Sequence, residues 1–436
     1  MLRLVGTKRK KQRKGVTPVK PEDARNDVFE GHQGDIITSK HSLLSLMLPP
    51  AVKEFYAELE AELKQICGDR YSRDDTGKKR WGSQRGSIIL GNQRVSVKIP
   101  RVRDTASGME VQLETYRRFK DPAVFEEAIL EAGLRGTSQR KYHKGVPRLG
   151  ASFGVARSSV SRHWKQATQK KLQQLQARSL VEMDILAVLI DGKRFHSQGV
   201  VIALGVGSDG TKHVLGIYQC STENSTACLE LLQDLDRRGL PDEGLLFIVD
   251  GGSGLNKAIQ TKYFVEDRNA RRAVRLRCFF HKWNNLKEVL SEKGRGEAKT
   301  LFWALREAKN VSAAKTCSDA LETSLKKHNI SALNSYLEAK DDLDNLHRVG
   351  LTPELKMFFS TTNAIESLNS LLEEDLRRVK RWRDSEHFQR WLATSCLVSE
   401  EKMNRIKGHI GLQALKVYLN NICVNNNNVD TYDKAI

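Results

Sequence analysis

GLLFIVDGG, Gly244–Gly252, is a run of five apolar residues closed by Asp250 and two glycines. Apolar residues at every position, rather than every second one, mark a strand covered on both faces. The earlier stretch ILAVLID, Ile185–Asp191, has the same texture and also stops on an acid followed by glycine. Two β-rich runs lie between them, VVIALGVG (Val200–Gly207) and KHVLGIYQC (Lys212–Cys220). Asp209-Gly210 joins these two as an ordinary hairpin turn. Thr226–Arg238 then places Leu229, Leu232 and Leu235 on one helical face ahead of the Gly244 run. Three antiparallel strands, a helix and a further strand predict an α/β domain with a mixed sheet.

That order is the opening order of the ribonuclease-H-like fold. Asp191 is expected to end the first strand and Asp250 the fourth. A carboxylate closing a buried strand lies at the sheet's rim, where α/β folds place their sites. Two such carboxylates on neighbouring strands repel unless a divalent cation holds them. With a third acid they suit a pair of Mg²⁺ ions about 4 Å apart, which serve in-line attack on phosphate. Each Asp-Gly taken alone is also a plain turn dipeptide. Glu366, within STTNAIESLNS (Ser360–Ser370), is the third candidate. Asn363 is expected to cap a helix whose apolar stripe is Ile365, Leu368 and Leu372. Glu366, Asn369, Ser370 and Glu373 share another face of it. Glu366 reads equally as a helix-start residue and as an acid aimed at the sheet edge, and the two are compatible.

Charge is segregated along the 436 residues, whose formal net is +19. Residues 1–26 carry a net of +7, residues 27–69 a net of −5 and residues 70–178 a net of +15, and the remainder is close to neutral. A basic front half is the electrostatic footprint of a polyanion binder. A solvated basic face explains the sign but not the segregation. KRKKQRK (Lys8–Lys14) reads as a disordered basic arm. AVKEFYAELEAELKQI (Ala51–Ile66) reads as an amphipathic helix, with dimerisation one use for its apolar stripe. Ser83–Arg103 reads as a hairpin about Gly91-Asn92, whose basic residues Arg94, Lys98, Arg101 and Arg103 read equally as DNA-backbone candidates and as the solvated face of a structural strand pair. LGASFGVARSSVSRHWKQ (Leu149–Gln166) has the helix-turn-helix arrangement. Its second helix projects Arg157, Ser158, Ser161 and Arg162, with Val155, Val160 and Trp164 behind them. In RRVKRWRD (Arg377–Asp384), Arg381 and Trp382 read either as a DNA-end contact or as an exposed helix terminus.

Seven scattered cysteines argue for reduced, intracellular thiols rather than a disulfide framework. Cys278 and His281 alone cannot complete a tetrahedral zinc site, and no second pair stands at zinc spacing, so locally they read as a core cysteine and a histidine at a polar edge. No apolar run approaches a membrane span, and Ser42–Val52 is too short and proline-broken for a signal peptide.

Several stretches, in order, resemble the Mutator-type transposases of bacterial insertion sequences, members of the DDE/ribonuclease-H-like superfamily. NAIESLN (Asn363–Asn369) is similar to that family's stretch around its third acid. RRGLPDEGLLFIVDGGSGLNKAI (Arg237–Ile259) is similar to the segment with its second acid, LIDGKRF (Leu189–Phe195) to that with its first, and GSDGTKHVLGI (Gly207–Ile217) to its hairpin. CFFHKWNNL (Cys278–Leu286) is similar to its Cys-x2-His element, and VKIPRVRD (Val97–Asp104) to its upstream basic hairpin. The resemblance covers roughly residues 70–400. It departs at Trp283-Asn284-Asn285, where the family usually carries Arg before the last asparagine, and at residues 263–277, which are longer and more basic.

The resemblance implies that Asp191, Asp250 and Glu366 are the catalytic and metal-binding triad, with Cys278, His281, Asn363 and Asn369 as candidate neighbours. It implies Mg²⁺ or Mn²⁺, two ions, as cofactor. Cleavage and strand transfer on terminal inverted repeats and target DNA follow as the activity, with a homodimer, no membrane and a cytoplasmic, nucleoid location. The expected organisation is a basic arm (1–40) and a mainly α DNA-binding region with a β-hairpin (41–178). A ribonuclease-H-like catalytic domain (179–281 with 354–400) follows, interrupted by a helical insertion (282–353) and ending in a C-terminal helix and Asn-rich tail (401–436). An inactive DNA-binding regulator and a structure-specific nuclease are the alternatives.

Overall fold

The computed structural model describes residues 40–70, 77–90, 93–137, 156–220, 224–264 and 272–425. The chain divides into two compact units, residues 1–129 with 138–161, and residues 130–137 with 162–436.

The first unit contains helix α1 (Lys40–Cys67), a three-stranded antiparallel sheet of β1 (Lys78–Leu90), β2 (Gln93–Asp104) and β3 (Glu110–Val111), and helix α2 (Glu114–Lys120). Leu90 pairs with Gln93, so β1 and β2 are the antiparallel pair that the sequence signals on either side of Gly91-Asn92, which lie outside the described residues. Val97 and Ile99 turn inward and Ser96 and Lys98 outward, the period-2 pattern of a half-buried strand. Phe55, Leu59 and Leu63 form one stripe of α1 and pack on Ile88, Val97, Ile99 and Val102. That stripe, read as a candidate dimerisation surface, is therefore buried within its own unit. Helices α3 (Ala123–Leu134) and α4 (Arg157–Ala177) contribute residues to both units.

The second unit is built on a five-stranded mixed sheet of order β6-β5-β4-β7-β8. Its strands are β4 (Ile185–Phe195), β5 (Gln198–Gly207), β6 (Lys212–Cys220), β7 (Leu245–Val249) and β8 (Ala273–Arg277). The first three are antiparallel, while β7 joins β4 and β8 joins β7 in parallel. Asp209 Oδ1 accepts the Thr211 N–H in the tight β5–β6 turn, where Gly210 takes φ +82°. Helices α5 (Ser225–Arg237) and α6 (Ser253–Tyr263) supply Leu231, Leu235, Leu255 and Ile259 to the face carrying Val188, Ile190, Phe247 and Val249. Ala187, Leu189, Leu246 and Ile248 point to the other face, which is covered by the helices that follow β8.

Those helices are α7 (Phe279–Val289), α8 (Glu292–Glu307), α9 (Val311–His328), α10 (Ile330–Arg348), α11 (Pro353–Phe359), α12 (Asn363–Leu376), α13 (Ser385–Glu400) and α14 (Leu412–Asn425). Ser291, Asn310, Asn329 and Thr352 start α8, α9, α10 and α11, each accepting a backbone N–H three residues on. Among the described residues no helix is long and apolar enough to cross a membrane.

Two expectations need correction. Strand β4 does not end at Asp191 but runs on to Phe195, because β5 pairs with it there, Asp191 opposite Ile202. Asn363 is not the cap of α12. Thr362 holds that position, its carbonyl accepting the Ile365 and Glu366 N–H groups, and Asn363 is the first helical residue. The first helix of the helix-turn-helix, with Val155, lies outside the described residues, as do residues 265–271 of the basic 263–277 stretch.

Candidate active site

The register of the sheet brings the two aspartates level. Ala187 pairs with Leu246 and Leu189 with Ile248, an offset of 59 residues. Asp191 and Asp250 are separated by the same 59 residues. Asp250 stands just past the end of β7, opposite the point where β4 continues paired with β5 only. Side chains alternate across a strand, so Asp191 follows Ala187 and Leu189, and Asp250 follows Leu246 and Ile248, to the same face. Helix α12 packs there through Ile365, Leu368, Leu372 and Leu376.

Two polar rungs join α12 to β4. Asn369 Nδ2 donates to Asp191 Oδ2 at 2.6 Å, and Lys193 Nζ lies 3.1 Å from Glu373 Oε2. Ser370, expected on the same face, instead donates to the Glu366 carbonyl of its own helix. Two backbone bonds tie the remaining segments together. The Cys278 N–H donates to the Val249 carbonyl, one residue before Asp250, and the Phe279 N–H to the Ser360 carbonyl, two residues before Thr362. The ends of β7 and β8 and the start of α12 thus meet.

Thr362, which no sequence pattern singled out, is the junction. Its Oγ1 donates to Glu366 Oε1 at 2.6 Å and lies 3.3 Å from His281 Nδ1 and 3.4 Å from Cys278 Sγ. A hydroxyl has one proton. With that proton committed to the carboxylate, the oxygen faces the imidazole as an acceptor, which assigns a proton to His281 Nδ1. His281 Nδ1 is itself 3.9 Å from Glu366 Oε1. The Cys278 hydrogen bond, together with the nearby carboxylates, raises the imidazole to about 9 against a desolvation cost, so His281 is a cation at neutral pH. Burial alone would push the Cys278 thiol up, but its bonds to His281 and Thr362 bring it below the ordinary value.

Burial first, and then the charge of Asp250, pushes Asp191 up to about 6. Asp250 Oδ1 accepts the Gly252 N–H at 2.9 Å. Each carboxylate is therefore held by a protein partner of its own. Among the described residues no three His, Cys, Asp or Glu side chains converge closely enough to hold an ion as they lie. The arrangement brings together Asp191, Asp250, Glu366, Asn369, Cys278 and His281, while Asn363 points to solvent.

The expected DNA contacts are placed as follows. Arg157, Ser158, Ser161 and Arg162 are exposed on the first turns of α4, and Val160 and Trp164 are buried. Lys98 is exposed and Arg94 half-buried. Arg101 is paired bidentately with Glu110 at 2.9 and 3.0 Å, so its charge is already answered. Arg103 donates to the Gly108 carbonyl and lies 5.0 Å over the exposed ring of Trp81. Arg381 is exposed. Trp382 is half-buried against the core, its ring in T-shaped contact with Phe388 at 5.1 Å and with His387 at 5.5 Å, so packing engages it.

Residues 30–404 match the family model described as transposase, Mutator family. A probable transposase for insertion sequence element ISRM3-like from Sinorhizobium fredii is 26% identical over 327 residues, 73% of this chain and 78% of that protein. The transposase for insertion sequence element IS1201 from Lactobacillus helveticus is 25% identical over 350 residues, 78% of this chain and 89% of its own length. That for IS905 from Lactococcus lactis is 26% identical over 349 residues, covering 77% and 84%.

Proposed function

Because the chain belongs to the Mutator family of transposases, we propose that it cuts and rejoins the ends of an insertion sequence at a metal-dependent site made by Asp191, Asp250 and Glu366. The observation that carries the reading is the shared 59-residue offset, which sets Asp191 and Asp250 level on the sheet face against which the Glu366 helix packs. The strand order β6-β5-β4-β7-β8 agrees with a ribonuclease-H-like fold for this unit.

The donor set suits a hard divalent cation, because all three groups offer oxygen. Asp191 is raised by burial and by carboxylates around it, a strain that a cation at the site relieves. Asp191, Asp250 and Glu366 would hold Mg²⁺ or Mn²⁺, Glu366 by turning from Thr362. Bound there, the cation activates the attacking oxygen and stabilises the leaving one. Asn369 fixes the rotamer of Asp191 and leaves its other oxygen for the site. The His281 imidazolium offers the phosphate group a positive neighbour. Water is the first nucleophile and the freed 3′-hydroxyl the second, with no enzyme–DNA ester. The basic 70–178 segment, with Arg157, Ser158, Ser161 and Arg162 foremost, holds the terminal inverted repeats. Two ends held together call for a dimer.

The test incubates full-length protein with its element's end DNA in Mg²⁺ or Mn²⁺ and looks for nicks at the repeat boundary. Nicking by the wild type that Asp191→Asn, Asp250→Asn and Glu366→Gln each abolish, with DNA affinity kept, is the expected result. No nicking with any divalent ion defeats the proposal and favours a DNA-binding regulator. Equal cutting of repeat-free DNA favours a structure-specific nuclease.

A further inference from the structure

Behind the Asp250 turn lies a cluster of buried cations that the triad does not use. Arg277, the last residue of β8, and Lys282, on α7, are 3% and 1% exposed. One carboxylate, Glu338 of α10, accepts from both, at 3.3 Å from Arg277 Nη1 and 2.8 Å from Lys282 Nζ. Lys282 Nζ also donates to Ser335 Oγ. Next to them Arg275 pairs with Asp342 at 2.8 Å. Three cations thus share two carboxylates. Burying a guanidinium costs several kcal/mol unless it is paired and its N–H groups are satisfied, yet Arg277 Nε has no hydrogen-bond partner. Fold stability alone is a poor reason for a buried Arg in that state.

Its position supplies another. Gly251, the residue after Asp250, sits at φ +101°, and a Cβ there would stand 1.7 Å from the Arg277 Cζ. The guanidinium therefore occupies the space where any other side chain at 251 would be. Asp250 is held at its next residue but one by the Gly252 N–H and at the adjoining residue by this rigid plane.

We infer that Arg277 is a positioning residue for Asp250, braced from the far side by Glu338. The helical segment between β8 and α12 would then set the geometry of the aspartate turn, because Glu338 belongs to α10 and the turn to the end of β7. A planar, delocalised cation can brace a turn in a way that a flexible ammonium cannot. The inference rests on the reading of Asp250 as a cation ligand.

The experiment titrates full-length protein with Mn²⁺ by calorimetry and follows its melting in parallel. Wild-type binding lost in Asp191→Asn supports the site itself. Arg277→Lys and Glu338→Gln are then expected to weaken Mn²⁺ binding by roughly ten-fold or more, the scale of outer-shell substitutions. A merely structural role would lower the melting temperature and leave the affinity alone. Folded Arg277→Lys with wild-type affinity overturns the inference while leaving the metal site standing. Should that variant not fold, Glu338→Gln, at a half-exposed carboxylate, decides, and unchanged affinity there overturns it equally. A wild type that binds no Mn²⁺ defeats the metal-site reading and this inference with it.

Discussion

Asn369 Nδ2 lies 2.6 Å from Asp191 Oδ2, closing a hydrogen bond between residues 178 positions apart. It joins the helix of Glu366 to the strand of Asp191 less than one turn from Glu366 itself. Asn369 is 3% exposed and its Oδ1 has no partner, so its one bond is spent on holding the carboxylate. The apolar stripe of α12 brings the helix to the sheet, and this bond sets its register along β4.

Asn369→Ala is therefore expected to lower end cleavage by about ten- to a hundred-fold, as loss of a partner that orients a ligand does. The fold should persist, since Ile365, Leu368, Leu372 and Leu376 still pack. Rates on end DNA, with a thermal melt as control, measure both. Wild-type turnover in a stable variant would remove Asn369 from the site.

Much of the sheet is legible in the sequence because uninterrupted apolar runs such as Leu245–Val249 have one stable use, a strand covered on both faces. The hairpin about Gly91-Asn92 is legible for a similar local reason. Where β4 stops is not, since Gly192–Phe195 is held by cross-strand pairing with β5 and not by local preference. Thr362 and Arg277 were equally hidden. Nothing in TTN marks a hydroxyl that meets Cys278, His281 and Glu366, because those partners come from distant segments. The free-looking Arg101 and Trp382 of the sequence are engaged for the same reason, by Glu110 and Phe388.

Asp191 gives a pH dependence of definite sign. Its folded value, about 6, lies above the ordinary 3.8. A raised carboxylate favours the fold below the ordinary value, and that contribution is lost as pH rises through about 6. The loss is about 3 kcal/mol at 1.36 kcal/mol per unit. Without divalent ions, Asp191→Asn should thus gain stability over wild type at pH 7.5 and little at pH 4. Mn²⁺ should raise the wild-type melting temperature more at pH 7.5 than at pH 5, since binding competes with protons. Scanning calorimetry at these pH values checks both, and a gain for Asp191→Asn that is larger at pH 4 would reverse the sign argued here.

Glu400 works in the opposite direction. It accepts both Arg178 Nη1 and Nη2 at 2.9 Å and the Val214 N–H at 2.6 Å. Burial raises its carboxyl, but the His213 and Arg178 bonds outweigh it and hold the group below the usual range. Its stabilisation is present above the ordinary value and fades as pH falls. Glu400→Ala should cost about 3 kcal/mol at pH 7, because the half-buried Arg178 loses its carboxylate and keeps only the Val214 carbonyl, and less at low pH. Urea unfolding at two pH values gives the comparison. A cost independent of pH would mean that packing, not the ion pair, dominates.

Gly251 tests the turn after Asp250 directly. Its φ of +101° is costly for any L side chain, and the Arg277 guanidinium leaves no space for a Cβ. Gly251→Ala should lose about 1–3 kcal/mol from backbone strain alone. End cleavage should fall further than stability does, because the displaced residue adjoins Asp250. Melting and cleavage rates of the one variant separate the two effects. A variant that keeps both would show that the turn and guanidinium yield freely.

The exposed residues on α4 carry the expectation for DNA. Arg157 and Arg162 are exposed on the surface of the helix, while Val160 and Trp164 are buried. Arg101, by contrast, already pairs with Glu110. Each phosphate neutralised releases counterions, so removing one such contact lowers the slope of log affinity against log salt by about 0.9. Arg157→Ala and Arg162→Ala should each weaken binding to end DNA. One that reads a base will lose preference for the repeat over random DNA, and one that meets phosphate will lose affinity for both alike. Arg101→Ala should do much less, since freeing Glu110 adds a negative charge but removes no available cation. Fluorescence anisotropy over a salt series, with repeat and random duplexes, reads slope and preference together. An Arg101→Ala defect larger than that of either α4 arginine would move the principal contact from the helix to the hairpin.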